Sequence, residues 1–135
     1  MEIERKYRWE SYEEYVAQQQ FNRCLGAVLA SLPRRQRNRV GPPLIKASVL
    51  AGMMFTLAHS EDDEEQVLAA ESRADARTAA LGFVTDLRDR LAGLTGRASA
   101  PHLTAALELL ERFEAGVRDR PLPPTPNLPD MEWQA

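Results

Sequence analysis

The stretch from Glu61 to Leu94 contains no proline and repeats its apolar residues at helical spacing. Val67, Ala70, Ala74, Leu81, Val84, Leu87, Leu91 and Leu94 follow one another in steps that are mostly three, four or their sums, which traces one face of an α-helix. Such a helix would run about 50 Å at 1.5 Å per residue, and it needs apolar partners along its whole face. It opens with Glu61-Asp62-Asp63-Glu64-Glu65, carboxylates that complement the positive end of a helix dipole. Its outer side carries both signs of charge: Glu71, Arg73, Asp75, Arg77, Asp86, Arg88, Asp89 and Arg90.

Three other segments can supply the partners. Residues 1–10 are charged and aromatic, either a flexible arm or one that packs Trp9 onto the bundle. Ser11-Tyr12-Glu13-Glu14 has the form of a capping box and starts a first helix running to about Leu32. Tyr15, Phe21, Leu25, Val28, Leu29 and Leu32 mark its inner side, Gln18-Gln19-Gln20 is expected outside, and Pro33 ends it. Gly41-Pro42-Pro43 reads as a breaker that begins a second helix, about Pro43 to His59, because proline is tolerated in a first turn. The fourth helix runs from about Ala100 to Arg118 behind Ser99 and Pro101, with Leu103, Leu107, Leu110, Phe113 and Val117 on one face. From Arg120 the prolines crowd together, which excludes helix and central strand and predicts an extended tail of polyproline type. The expected architecture is an all-α, up-down four-helix bundle over residues 11–119, with an arm at 1–10 and a proline-rich tail at 120–135.

Composition narrows the function classes. With 135 residues the chain fits one domain, and 44% apolar content is enough for a helical core. A net charge of −3 argues against a surface that binds nucleic acid all over. The single cysteine, Cys24, allows no internal disulfide and reads as a small core residue. The beginning of the sequence lacks the apolar core of a signal peptide, and no run of 18 apolar residues occurs, so a cytoplasmic protein without a membrane span is expected. Histidine occurs only at 59 and 102, neither in a zinc spacing. There is no Glu-x-x-His and no glycine-rich phosphate loop. No cofactor, metal or catalytic residue is therefore assigned, although scattered Arg and Glu could in principle serve a small helical enzyme.

Three features point to binding. Arg34, Arg35, Arg37 and Arg39, on a predicted loop with Lys46 nearby, could grip phosphates through bidentate guanidinium forks. The same charges could equally be a solvated loop that meets the Glu61–Glu65 run. The second helix is apolar nearly all round, and a helix of that kind is covered on all sides; it is either central or turns Met53, Met54, Phe55 and Leu57 toward another subunit. Leu122, Leu128, Met131 and Trp133 could make the tail a docking peptide for a protein partner, or the tail could be an unanchored end.

Several of these stretches resemble a family of small bacterial four-helix-bundle proteins: the accessory variability determinants of diversity-generating retroelements and the proteins encoded within 23S ribosomal RNA intervening sequences. The resemblance is carried by Leu29-Ala-Ser-Leu-Pro33-Arg34-Arg35 closing the first helix, by the apolar second helix, and by Ser72-Arg-Ala-Asp-Ala-Arg-Thr-Ala-Ala-Leu81 leading to Leu87-Arg-Asp-Arg-Leu91 in the third. It covers about residues 12–118. It implies an up-down bundle assembled as a ring-like homopentamer. In the retroelement branch it also implies a non-catalytic accessory protein that partners a reverse transcriptase and its template RNA through a basic surface. This chain departs from that pattern in being acidic overall, with positive charge gathered at Arg34–Arg39 and Lys46. The alternative that the residues allow is a protein–protein adaptor or assembly chaperone acting through the second helix and the tail.

Overall fold

The structure, a computed structural model, describes residues 8–60 and 70–123. A single 3-10 turn, Arg8–Ser11, leads into four helices: α1, Glu13–Ala30; α2, Arg34–His59; α3, Ala70–Ala92; and α4, Ala100–Asp119. There is no strand among the described residues. The chain is an all-α four-helix bundle in which α2 packs most extensively on α3 and α1 on α4. α1 runs antiparallel to α2, with Tyr12 meeting His59, Gln18 meeting Ser48 and Leu29 meeting Gly41, and antiparallel to α4, with Glu14 meeting Arg120 just past that helix and Cys24 meeting His102. Ala58 at the end of α2 meets Arg73 near the start of α3, and Arg88 of α3 meets Glu114 of α4.

The core follows from steps of three and four on each helix. α1 contributes Phe21, Leu25, Val28 and Leu29; α2 contributes Leu44, Ala47, Ala51 and Phe55; α3 contributes Ala80, Val84, Leu87 and Leu91; α4 contributes Leu103, Ala106, Leu110 and Phe113. Alanines at 47, 51, 58, 76 and 80 leave little side-chain bulk between α2 and α3, which suits the extensive contact of that pair. Phe55 meets Phe113 edge to face at 5.9 Å, joining the second helix to the fourth through the centre. Trp9 of the N-terminal arm packs edge-on against Tyr15 at 5.0 Å.

Five expectations need correction. The capping box is absent: Tyr12 is the N-cap of α1, Ser11 donates its hydroxyl to the Arg8 carbonyl, and Glu14 is buried. Gln18 is buried as well, where its amide donates to the Ser48 carbonyl at 3.2 Å. Cys24 lies at the core's edge, half-buried, with its thiol donating to the His102 carbonyl at 3.2 Å. In the first half of α3 the inner face is Arg73, Ala76 and Ala80, with Ala74 and Leu81 half-buried beside it. The proposed start of the third helix, Glu61 to Ala69, lies outside the described residues.

The fifth correction bears on function. Arg34–Arg39 is not a loop, because α2 begins at Arg34 and continues through Pro42 and Pro43. Pro33 serves as N-cap with ψ 147°, and the turn between α1 and α2 is only Ser31 to Pro33. A proline pair inside a helix removes two N–H donors, which leaves the carbonyls four residues earlier, at Asn38 and Arg39, without helical partners. Both residues are exposed, so water can satisfy them. For Pro42 the ordinary clash between a proline ring and the preceding side chain is relieved because the preceding residue is Gly41, which has no Cβ. Gly41 is buried against Leu29, and a Cβ there would sit 3.6 Å from the Leu29 Cδ1.

Candidate binding face on α2

Extending α2 to Arg34 places the basic cluster and the apolar surplus on one rod. Arg35 and Arg39 are four residues apart, as are Pro42 and Lys46, and as are Ile45, Val49, Met53 and Leu57. At 3.6 residues per turn these positions fall within a sector of about 120°. That sector lies opposite the inner face of Leu44, Ala47, Ala51 and Phe55. It faces solvent: Ile45 is 51% exposed, Val49 50%, Met53 50% and Leu57 42%. The only other large apolar side chain exposed among the described residues is Val16, on α1. Four half-exposed apolar side chains in a single stripe, about 18 Å long from Ile45 to Leu57, make a contiguous patch of the kind that marks a contact surface.

The charge on the first turns of α2 is one-sided. Arg34, Arg35 and Arg39 are exposed, and no acid occupies the first turn. Guanidiniums at a helix N-terminus add to the positive end of the dipole instead of compensating it, and the free N–H groups of the first turn point the same way. The combination favours a bound anion. Arg37 departs from the cluster: it lies on the far side of the turn, and its Nη2 donates back to the Leu32 carbonyl at 3.4 Å. Lys46 is exposed beside Ile45, at the junction of the basic and apolar halves.

The residues expected at a subunit interface divide. Met53 and Leu57 lie on the outer stripe, Met54 is half-buried against the core, and Phe55 is fully buried inside the bundle. Phe55 therefore cannot reach another subunit, since its ring is taken by Phe113, Tyr12 and Tyr15. Ile45 and Val49 complete the stripe in its place. Their four-residue register with Met53 and Leu57 was present in the sequence but is hidden when every position of a helix is apolar. In the tail, Leu122 is half-buried; Leu128, Met131 and Trp133 lie outside the described residues.

α2 is also the one helix among the described residues long and apolar enough to cross a membrane, with an 18-residue window of mean hydropathy 1.4. Its inner face, however, is core of the bundle. No group of three or more metal-ligating side chains occurs among the described residues. No family model, no curated protein and no solved structure matches this chain.

Proposed function

We propose that this chain is an oligomeric, non-catalytic accessory protein that binds a reverse transcriptase and its template nucleic acid through the outer face of α2. The observation that carries the reading is the division of that face into an arginine-bearing end and an apolar stripe. Arg34, Arg35 and Arg39 with Lys46 supply phosphate contacts, while Ile45, Val49, Met53 and Leu57 supply the contact between subunits. Phosphate contacts position a nucleic acid without reading its sequence, which suits a protein that holds a template for a polymerase. The sequence resemblance supplies the class of partner and the expectation of a ring-like homopentamer.

The test separates the two halves of the face. Light scattering gives the mass of the purified protein alone and with a structured RNA or a single-stranded DNA, at low and moderate salt. The wild type is expected to form an oligomer that gains mass with nucleic acid and loses it as salt rises. Arg35→Glu with Arg39→Glu should abolish the nucleic-acid gain and leave the oligomer. Met53→Asp with Leu57→Asp should break the contact between subunits while leaving the helical circular dichroism intact. An oligomer indifferent to nucleic acid would favour a protein–protein adaptor, and a monomer indifferent to both changes would defeat the proposal.

A further inference from the structure

The end of the bundle where α2 stops, α3 starts and α4 finishes buries ionisable groups that the outer face of α2 does not use. His59, Glu14 and Arg73 are each only 2% exposed. Arg73 donates from Nη1 to the Ala58 carbonyl at 2.8 Å and from Nη2 to the Ser60 carbonyl at 2.6 Å. These are among the last carbonyls of α2, which have no partner within the helix, and a cation there complements the negative end of the dipole. A single α3 side chain thus holds the end of α2 by the residues on either side of His59.

The His59 ring packs against Phe55 at 4.9 Å and Tyr12 at 5.7 Å, and its Nδ1 has no hydrogen-bond partner. Among the described residues, the groups that face it are Tyr12 and Glu14 at the start of α1, Arg73 and Arg77 of α3, and Arg120 just past α4. Glu14 is the one carboxylate in that set, and it already takes both Arg120 Nε and Nη2. The guanidinium of Arg120 in turn lies over the Tyr12 ring at 3.7 Å.

Among the described residues, a proton on His59 would place a fourth cation beside three guanidiniums and one engaged carboxylate. It would also turn both ring nitrogens into donors, at a site where Nδ1 and the Arg73 Nε already lack acceptors. Arg73 cannot withdraw without releasing the carbonyls that flank the ring. The strain is relieved by moving His59 out, and the clamp on α2 moves with it. We propose that His59 is an acid-sensitive latch: neutral, it lets Arg73 hold the end of α2 against α3, and protonated, it opens that corner while α1 and α4 stay packed. Burial first, and then the nearby guanidiniums against the opposing pull of Glu14, lower the imidazole from 6.5 to about 4. An opened ring titrates near the ordinary value, so the latch is closed above about pH 6.5 and loosens as pH falls toward 4.

Native-state amide exchange on the full chain tests this, expressed as protection factors so that the intrinsic pH dependence of exchange is removed. Between pH 7 and pH 4, the amides of Leu57 to His59 and of Ala74 to Arg77 are expected to lose protection on the order of a hundredfold, as the difference between the open and closed pKa values requires. Leu25 and Leu110, which exchange through global unfolding, should stay far better protected than the corner at every pH, and in His59→Phe the corner should hold its protection across the range. A corner insensitive to pH would overturn the latch. So would an equal loss in His59→Phe, or a corner as well protected as Leu25 and Leu110 at every pH, which would mean that only global unfolding exposes it. If His59→Phe does not fold, the ring resonances of the wild type decide: titration near 6.5 overturns the proposal, and titration near 4 with loss of protection at the corner supports it.

Discussion

Replacing Gly116 with alanine should destabilise this bundle, although the same change elsewhere in its helices should do the opposite. Alanine exceeds glycine in helix propensity by about 1 kcal/mol. Gly26 and Gly82 lie within α1 and α3, are exposed, and have nothing within 4 Å of where a Cβ would be, so Gly26→Ala and Gly82→Ala should each add about 0.5–1 kcal/mol. At Gly116 a Cβ would fall 2.7 Å from Glu14 Cδ, 2.8 Å from its Cγ and closer still to its Cβ. These atoms belong to a side chain only 2% exposed that is held by two bonds from Arg120. The near atoms are the root of the side chain, so rotation alone does not clear them, and α1 must move away from α4.

Overpacking of this kind costs about 1–3 kcal/mol. Losing charge-assisted hydrogen bonds adds about 1.5–3 kcal/mol, taken near its lower end because the Arg120 side chain is 34% exposed. Less the propensity gain, the net loss is about 2–3 kcal/mol, or roughly 10 °C in Tm for a chain of this size. Thermal and urea denaturation followed by circular dichroism would measure it. Glu14→Ala, which removes the Cγ and Cδ contacts though not the one at Cβ, should cost less in the Gly116→Ala background than in the wild type. A Gly116→Ala protein as stable as the wild type, or strict additivity with Glu14→Ala, would refute the contact.

Truncation at the centre should be more severe: Phe55→Ala removes a ring with no exposure that contacts Phe113, Tyr12 and Tyr15, and a loss of about 3–5 kcal/mol is expected in urea denaturation. Gly52→Ala presses on the far end of Gln18, whose Nε2 would lie 2.9 Å from the new Cβ, so the lost bond to Ser48 and the gain in helix propensity should leave stability within about 1 kcal/mol of the wild type. Global stability should also depend on pH through His59. Its folded value, about 4, lies below the unfolded 6.5, so its contribution is complete above pH 6.5 and is lost as pH falls toward 4. His59→Phe should flatten that part of the profile in urea titrations at a series of pH values.

The helical bundle was legible because its apolar residues keep a three-and-four rhythm and its turns carry proline and glycine. What escaped were polar residues that keep the same rhythm. Glu14 and Gln18 fall in step with Phe21, Leu25 and Val28, and Arg73 falls in step with Ala76, Ala80 and Val84. Chemical type alone sends them to the surface, whereas their register sends them inside, where Arg120, Ser48 and the end of α2 satisfy them. The start of α2 was hidden for a different reason. A Gly-Pro-Pro sequence ordinarily ends a helix; here the absent Cβ of Gly41 eases the clash with Pro42, and the exposed carbonyls at Asn38 and Arg39 can turn to water. The exposed apolar stripe of α2 was visible as an apolar surplus, but its membership depended on which face the core claimed, and that is set by packing against α3.

The proline pair gives α2 an uneven stiffness. Two consecutive rungs of its hydrogen-bond ladder are missing, so the helix is a short arginine-bearing rod and a longer apolar rod joined at a compliant point. The longer rod is seated on α3 along its inner face, while the shorter rod is held by Val40 against the core, by Leu29 against Gly41 and by the tight turn at Pro33. A load applied to the arginines, such as the pull of a bound polyanion, would bend α2 at this joint before disturbing the core, so the charged end can swivel to follow an irregular ligand while the apolar stripe stays fixed.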